Sequence, residues 1–217
     1  MQITQPTLAT VALVSVAALF AAPVLFHGFR RRGKGVLYEK NFLIQRAPQL
    51  ASVATIFVIV ASFLACNQLL TEPSEALTVF TQWHVVPESV RSATAWAGVL
   101  VLFSGLIFMV GGWYSLGECF STDAEVLDGH TVRKTGLLKY VMHPAYSGII
   151  QSLLGASLAC LSLPSVLLTV LVVAPLWLNR AKYEERILLD TLGPSYEEYA
   201  RELKWRRLVP SFFPIGI

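Results

Sequence analysis

The chain has 217 residues, 54% of them hydrophobic and only 14% charged, with a mean hydropathy of +0.58. That balance excludes an ordinary soluble globular domain, in which about a quarter of the residues are charged, and reads as an integral membrane protein. The formal net charge of +3 makes no case for nucleic acid and is more informative as a record of topology.

A membrane span needs roughly 20 predominantly apolar residues to cross about 30 Å of hydrocarbon. The first such segment covers about residues 7–27; no basic residue precedes it, and the run RRRGK follows it. This is the pattern of an outside-to-inside anchor, not of a cleaved signal peptide. The next two segments, about 50–70 and 92–116, are also free of charge. In the latter Gly98, Gly105 and Gly112 recur every seven residues, so they share one helix face along which another backbone can come close. Residues 146–179 are again uncharged, too long for one span, and interrupted at LSLPS, where Pro164 cannot continue a helix. A hairpin of two spans, about 146–163 and 164–180, is expected, for five in all. Gly148, Ser152, Gly155 and Ala159 form a stripe of small residues on the fourth, expected to meet the fifth across the hairpin.

Lys and Arg counted segment by segment give the orientation, because cytoplasmic loops carry their excess. Six lie in 28–47, one in 71–91, three between 116 and 146 and seven after 179, so sixteen of the 17 fall on one side. The N-terminus is expected outside and the C-terminus in the cytosol, with the acidic segment of Glu72, Glu75 and Glu88 outside. The helical pattern of the fifth span continues past Asn179 as RAKYEERILLDTL and stops at Gly193-Pro194. A short amphipathic helix follows, with Ser195 expected as N-cap and Glu198 completing a capping box. The tail RRLVPSFFPIGI, basic and then apolar, suits a segment lying back on the membrane interface. The chain reads as one membrane domain, with no long linker and no low-complexity tract.

Polar groups at a membrane edge are functional suspects, and here they gather on the inner side. Pro144 fits the first position of a helix, which places His143 at its N-cap. Unpaired first-turn amides there favour an anion, with Tyr146 one turn in. An N-capping histidine beside an interfacial tyrosine is the plainer reading of the same residues. Arg180 and Glu184 share a helix face and Glu185 points about 100° away; this is either an intrahelical ion pair or part of a site that the hairpin brings next to His143. Cys66, Cys119 and Cys160 suggest no disulfide framework or metal set, and no dinucleotide, phosphate-loop, serine-triad or zinc pattern is found.

In chain order the sequence shows SLGECFS, GHTVRKTGLL, MHPAYSG, EERILLDTLGPSYEEY and RRLVP. This order, spread over about residues 114–210, resembles the integral membrane methyltransferases that include isoprenylcysteine carboxyl methyltransferase and its phospholipid-methylating relatives. The resemblance implies an all-α membrane fold without a Rossmann domain. It further implies S-adenosylmethionine bound by about residues 117–146 and 180–217, and methyl transfer to a lipophilic or lipidated substrate arriving from the bilayer. By the same resemblance His130, Thr131, Val132 and Arg133 form a cofactor loop, Leu138 stands where relatives often carry Tyr, and His143, Pro144, Ala145 and Tyr146 form the cofactor-binding run. Glu184 is a further cofactor contact and Arg180 orients a substrate carboxylate. Met142 replaces the usual Arg before His-Pro. A carboxylate acceptor needs no general base, whereas an amine would need one, and Glu185 is the nearby candidate. The competing readings are a membrane sterol or enone reductase using NADPH and a non-catalytic membrane protein retaining the fold. Oligomeric state is open.

Overall fold

A computed structural model of the protein describes residues 5–30, 35–36, 41–66, 87–121, 123–127, 129–204 and 206–208. Most of the expected acidic outer segment, most of the basic cluster after the first segment and the tail from residue 209 lie outside them. The regular structure of the described chain is helical except for a two-residue antiparallel ladder, Gly35–Val36 (β1) with Val126–Leu127 (β2). The helices are α1 Gln5–Arg30, the short α2 Phe42–Gln45, α3 Ala47–Cys66, α4 Glu88–Leu116, α5 Pro144–Ala159, α6 Leu163–Leu192 and α7 Pro194–Glu202. Among the described residues three helices are long and apolar enough to cross a membrane, over Ala47–Leu64, Glu88–Cys119 and Leu163–Leu192. Two other expected spans coincide with α1, whose apolar stretch Thr7–Leu19 is shorter, and with α5, 16 residues long and so about 24 Å.

The hairpin turns where proline chemistry dictates. Helix α5 opens on Pro144 at its first position with His143 as N-cap, and α6 opens on Leu163 and Pro164. Within α6 the chain widens to a π-helical turn over Thr169–Val173, with the Ala174 amide donating to the Thr169 carbonyl. Pro175 has no N–H to offer the carbonyl four residues before it, and the wider turn absorbs that loss. Helix α6 then runs on to Leu192, where Gly193, at φ +57°, ends it with its amide donating to Leu189 O at 2.9 Å.

Two expectations are corrected. The small-residue stripe of α5 meets α4 instead of the hairpin partner α6. A Cβ added at Gly98 would lie 2.7 Å from the Gly155 carbonyl, one at Gly105 2.8 Å from that of Gly148, and one at Gly112 2.7 Å from the Ala145 nitrogen. The seven-residue glycine face of α4 and the stripe of α5 are thus two halves of one antiparallel seam, closed by van der Waals contact between backbones, which is the interaction lipid leaves available to helices. Nor is Ser195 an N-cap. Helix α7 begins at Pro194 with Gly193 in the cap position, no side chain caps it, and the Ser195 hydroxyl donates to Leu192 O at 2.8 Å. Proline's fixed φ suits the first helical position and starts the helix before Ser195 is reached.

Around the α4–α5 seam lies the main core, in which Val16, Ile59, Leu102, Leu153 and Trp177 are buried. A smaller cluster of Met142, Tyr196, Tyr199, Ala200 and Leu203 packs α7 against the chain that leads into α5. The segments after α1, between α4 and α5 and after α7 meet at one end of the bundle: β1 pairs with β2, Gln45 exchanges bonds with Ala124 at 2.9 and 3.0 Å, and Met142 N donates to Arg206 O at 2.8 Å.

Candidate active site

A cavity opens at that end, between the chain leading into α5, the C-terminal half of α6 and α7. Its wall includes nine of the ten residues singled out as cofactor contacts: His130, Val132, Arg133, Leu138, His143, Pro144, Ala145, Tyr146 and Glu184. Thr131 is exposed and not part of the wall, and neither are Arg180 and Glu185. These two stand behind it.

His143 is buried with its ring stacked on Tyr146, centroids 5.4 Å apart and planes 2° from parallel. Its two nitrogens face two carboxylates, Nδ1 at 3.8 Å from Glu184 Oε2 and Nε2 at 3.4 Å from Glu185 Oε1. Adjacent residues of one helix point about 100° apart, so one imidazole lying between them touches both. The Tyr146 hydroxyl donates to Glu184 Oε1, and Arg180 Nε donates to that hydroxyl at 3.0 Å and to Glu184 Oε1 at 3.2 Å.

Arg180 has none of its surface exposed, an extreme position for a guanidinium. Several contacts offset its desolvation: the Glu184 pair, the rings of Tyr146 and Trp177 at 5.6 and 5.4 Å, and a long bond from Nη1 to the Gln45 carbonyl at 3.4 Å. Trp177 is itself held by its Nε1–H donating to Ser52 Oγ at 3.0 Å. Glu185 belongs to a second network, in which Arg207 Nε lies 2.8 Å from Oε1 and donates to Oε2 at 3.0 Å.

The far wall carries groups that spacing alone does not single out. Leu116, Cys119, Phe120, Ser121, Asp123 and Glu125 line it from the end of α4 and the chain after it, and Ile187, Leu188, Leu192, Tyr196 and Tyr199 from α6 and α7. Cys119 to Ser121 lie within SLGECFS and the tyrosines within GPSYEEY, so the motif order held a signal for these. Gln45 had none, because its partner Ala124 is 79 residues away. Met142 is buried against Tyr196 and Tyr199, a setting that suits an unbranched apolar side chain. Tyr199 donates its hydroxyl to Leu138 O at 2.8 Å, which ties α7 over the loop. Burial, and then the Glu185 carboxylate, raise the Tyr196 phenol well above its ordinary pKa, and burial and Glu202 raise that of Tyr199. His130 is shifted the other way, its pKa lowered by burial and then by Arg133 against a smaller opposing pull from Glu184. Its Nδ1 is a buried polar atom without a hydrogen-bond partner. Among the described residues no group of His, Cys, Asp and Glu could hold a metal ion.

Residues 97–190 match the isoprenylcysteine carboxyl methyltransferase (ICMT) family. That stretch begins in α4, contains the whole α4–α5 seam and the hairpin, and ends just past Glu184 and Glu185. Over this region the family match and the motif resemblance agree. With its three spanning-length helices, the chain reads as an integral membrane protein, and its similarity to a methyltransferase family is confined to residues 97–190. No curated protein matches it.

Proposed function

We propose that the protein is an S-adenosylmethionine-dependent methyltransferase acting on a lipophilic or amphiphilic acceptor at the cytosolic face, an isoprenylcysteine-like carboxylate foremost. The observation that carries the reading is the convergence of His130, Leu138, His143, Tyr146 and Glu184 on one cavity, within and beside the segment that matches ICMT.

The residues fit such a cofactor. The buried Nδ1 of His130 lacks a partner, and a buried polar atom left unpaired is costly, so a polar ligand in the cavity would satisfy it. The N-terminus of α5 reaches the wall at Pro144 and Ala145, with a positive dipole end suited to a carboxylate. Glu184 can accept from an amino or ribose group, and Leu138, Met142 and Tyr196 offer an apolar bed for a planar base. When bound, S-adenosylmethionine supplies a methyl group on a sulfonium, an electrophile that needs no metal and leaves as a neutral thioether. The chain then has to align the acceptor and keep water out. Arg180, buried behind the wall, is the residue we assign to orienting an acceptor carboxylate, by holding the lining groups Tyr146 and Glu184 to which its Nε donates. Glu185 is held by Arg207 and His143 behind the wall, so it is poorly placed as a general base. That favours an acceptor already ionised over an amine. The sixteen basic residues on one side support a cytosolic C-terminus, and α1 and α5 then serve as the remaining two of five spans.

Calorimetry on purified protein tests the reading. Binding of S-adenosylhomocysteine that His143→Ala abolishes is expected, followed by labelled methyl transfer into a panel of prenylated carboxylates. Binding of NADPH and not of S-adenosylhomocysteine, or of neither, would overturn it.

A further inference from the structure

The residues just after α7 fold back over the start of α5. Lys204 turns the chain at φ +50°, and three consecutive carbonyls then accept from the entrance to α5. Arg206 O accepts from Met142 N at 2.8 Å, Arg207 O from His143 N at 2.9 Å and Leu208 O from Ser147 Oγ at 2.5 Å. A polar chain anchors the last of these in the bundle, since Gln151 Nε2 donates to Ser147 Oγ at 2.7 Å and Ser104 Oγ to Gln151 Oε1 at 2.8 Å. The Arg207 side chain, about a quarter exposed, reaches Glu185, which is 5% exposed. Glu185 Oε1 in turn faces His143 Nε2 at 3.4 Å.

The geometry points to Arg207 as a positioning residue for the cofactor site: by neutralising Glu185 it holds the carboxylate against which the His143 ring is set. A buried carboxylate stripped of its cation is a strongly unfavourable neighbour, and Glu185 would rotate toward water or toward another cation. Of its two carboxylate contacts His143 would then keep only the looser 3.8 Å approach to Glu184, and with the stack on Tyr146 alone beside it the ring would lose its fixed orientation on the cavity wall. Backbone bonds from 206–208 hold the main chain of Met142 and His143; the Arg207 guanidinium holds the ring. This inference rests on His143 being a cofactor grip, and its test separates the two ideas.

Protein carrying isotope-labelled histidine is compared by NMR in detergent as wild type, Arg207→Gln, Arg207→Lys and the double variant Glu185→Gln/Arg207→Gln, with His143→Gln assigning the ring. S-adenosylhomocysteine affinity is measured on the same samples. The expected result is a moved or broadened His143 nitrogen signal and about a tenfold loss of affinity in Arg207→Gln, with both largely restored by Arg207→Lys. Should Arg207→Gln fail to fold, the double variant leaves no lone buried charge and is expected to fold and to show the same shift. Unchanged His143 signals in Arg207→Gln or in the double variant would overturn the proposal. Moved signals in a protein whose wild type binds no S-adenosylhomocysteine would uphold the positioning and sink the cofactor reading.

Discussion

One added methyl group, placed at either end of the α4–α5 seam, distinguishes packing that merely holds the bundle from packing that holds the site. Gly98 and Gly112 are 14 residues apart on one helix face, about 21 Å along its axis. In Gly112→Ala the new Cβ would lie 2.7 Å from the Ala145 nitrogen and 3.1 Å from Pro144 Cγ; in Gly98→Ala it would meet the Ala159 nitrogen most closely, with the Gly155 carbonyl oxygen at 2.7 Å and the Leu158 carbonyl carbon at 2.9 Å. Ordinary contact begins at 3.4 Å, so Gly112→Ala needs about 0.7 Å of relief, the difference between 3.4 and 2.7, and Gly98→Ala needs more. The obstructing atoms are mostly backbone, so the helices themselves must part. Overpacking of this kind costs about 1–3 kcal/mol, and both variants should melt at lower temperature than wild type. Only Gly112→Ala displaces the first turn of α5, next to His143. Misplacement of a binding group by about 1 Å can cost about a hundredfold, so its affinity for S-adenosylhomocysteine should fall by about one order of magnitude. Gly98→Ala, remote from the cavity, should keep affinity within about threefold. Thermal unfolding and calorimetry in one detergent measure both quantities. Equal loss of affinity in the two variants, or wild-type affinity in Gly112→Ala, would refute the argument.

Arg180→Met should destabilise the protein by about 3–5 kcal/mol, because Glu184 and the Tyr146 hydroxyl lose their buried cation. Adding Glu184→Gln should recover much of that in the melting temperature, and no recovery would mean that Arg180 acts through packing on Trp177. The pKa of His130 is lowered from 6.5 in the folded protein, so the unfolded chain takes up the proton first as pH falls. Its contribution to stability is full above that value and is lost as pH drops through the lowered folded pKa; melting temperatures from about pH 8 to about pH 5 should decline less in His130→Gln than in wild type. Orientation can be read by labelling in cells with a membrane-impermeant maleimide in a cysteine-free background. Leu163→Cys in the hairpin turn should react from outside and Tyr140→Cys only after permeabilisation, and the reverse pattern would invert the topology.

Much of the site was legible because its residues sit at element boundaries that local chemistry dictates. Pro144 starts α5 and so puts His143 at the cap, Pro164 opens α6, and Gly193 ends it, each through a backbone constraint that acts over a few residues. The motif order placed Leu138, Glu184 and the α7 tyrosines in one region. By contrast, Gln45 and Asp123 reach the site from separate segments and nothing in their own neighbourhoods marks them, while the motif RRLVP marked the region of Arg207 without showing its partner Glu185. Ser195 shows the limit of local rules as well: two start signals overlapped, and the rigid proline prevailed over the capping hydroxyl.

What the sequence by itself determined is the membrane character, the helical periodicity, the hairpin and the resemblance carried by the motif order, since each follows from properties of single stretches of chain. Tertiary structure alone decided which faces meet. A stripe of small residues records that some backbone approaches, without naming whose, and the stripe on α5 found the glycines of α4 instead of its hairpin partner. Likewise Glu185 could have been a spare base, and became a buried hub between His143 and Arg207 once the chain after α7 folded back. Periodicity is a property of one helix and pairing a property of two, so only the folded arrangement could assign the partners.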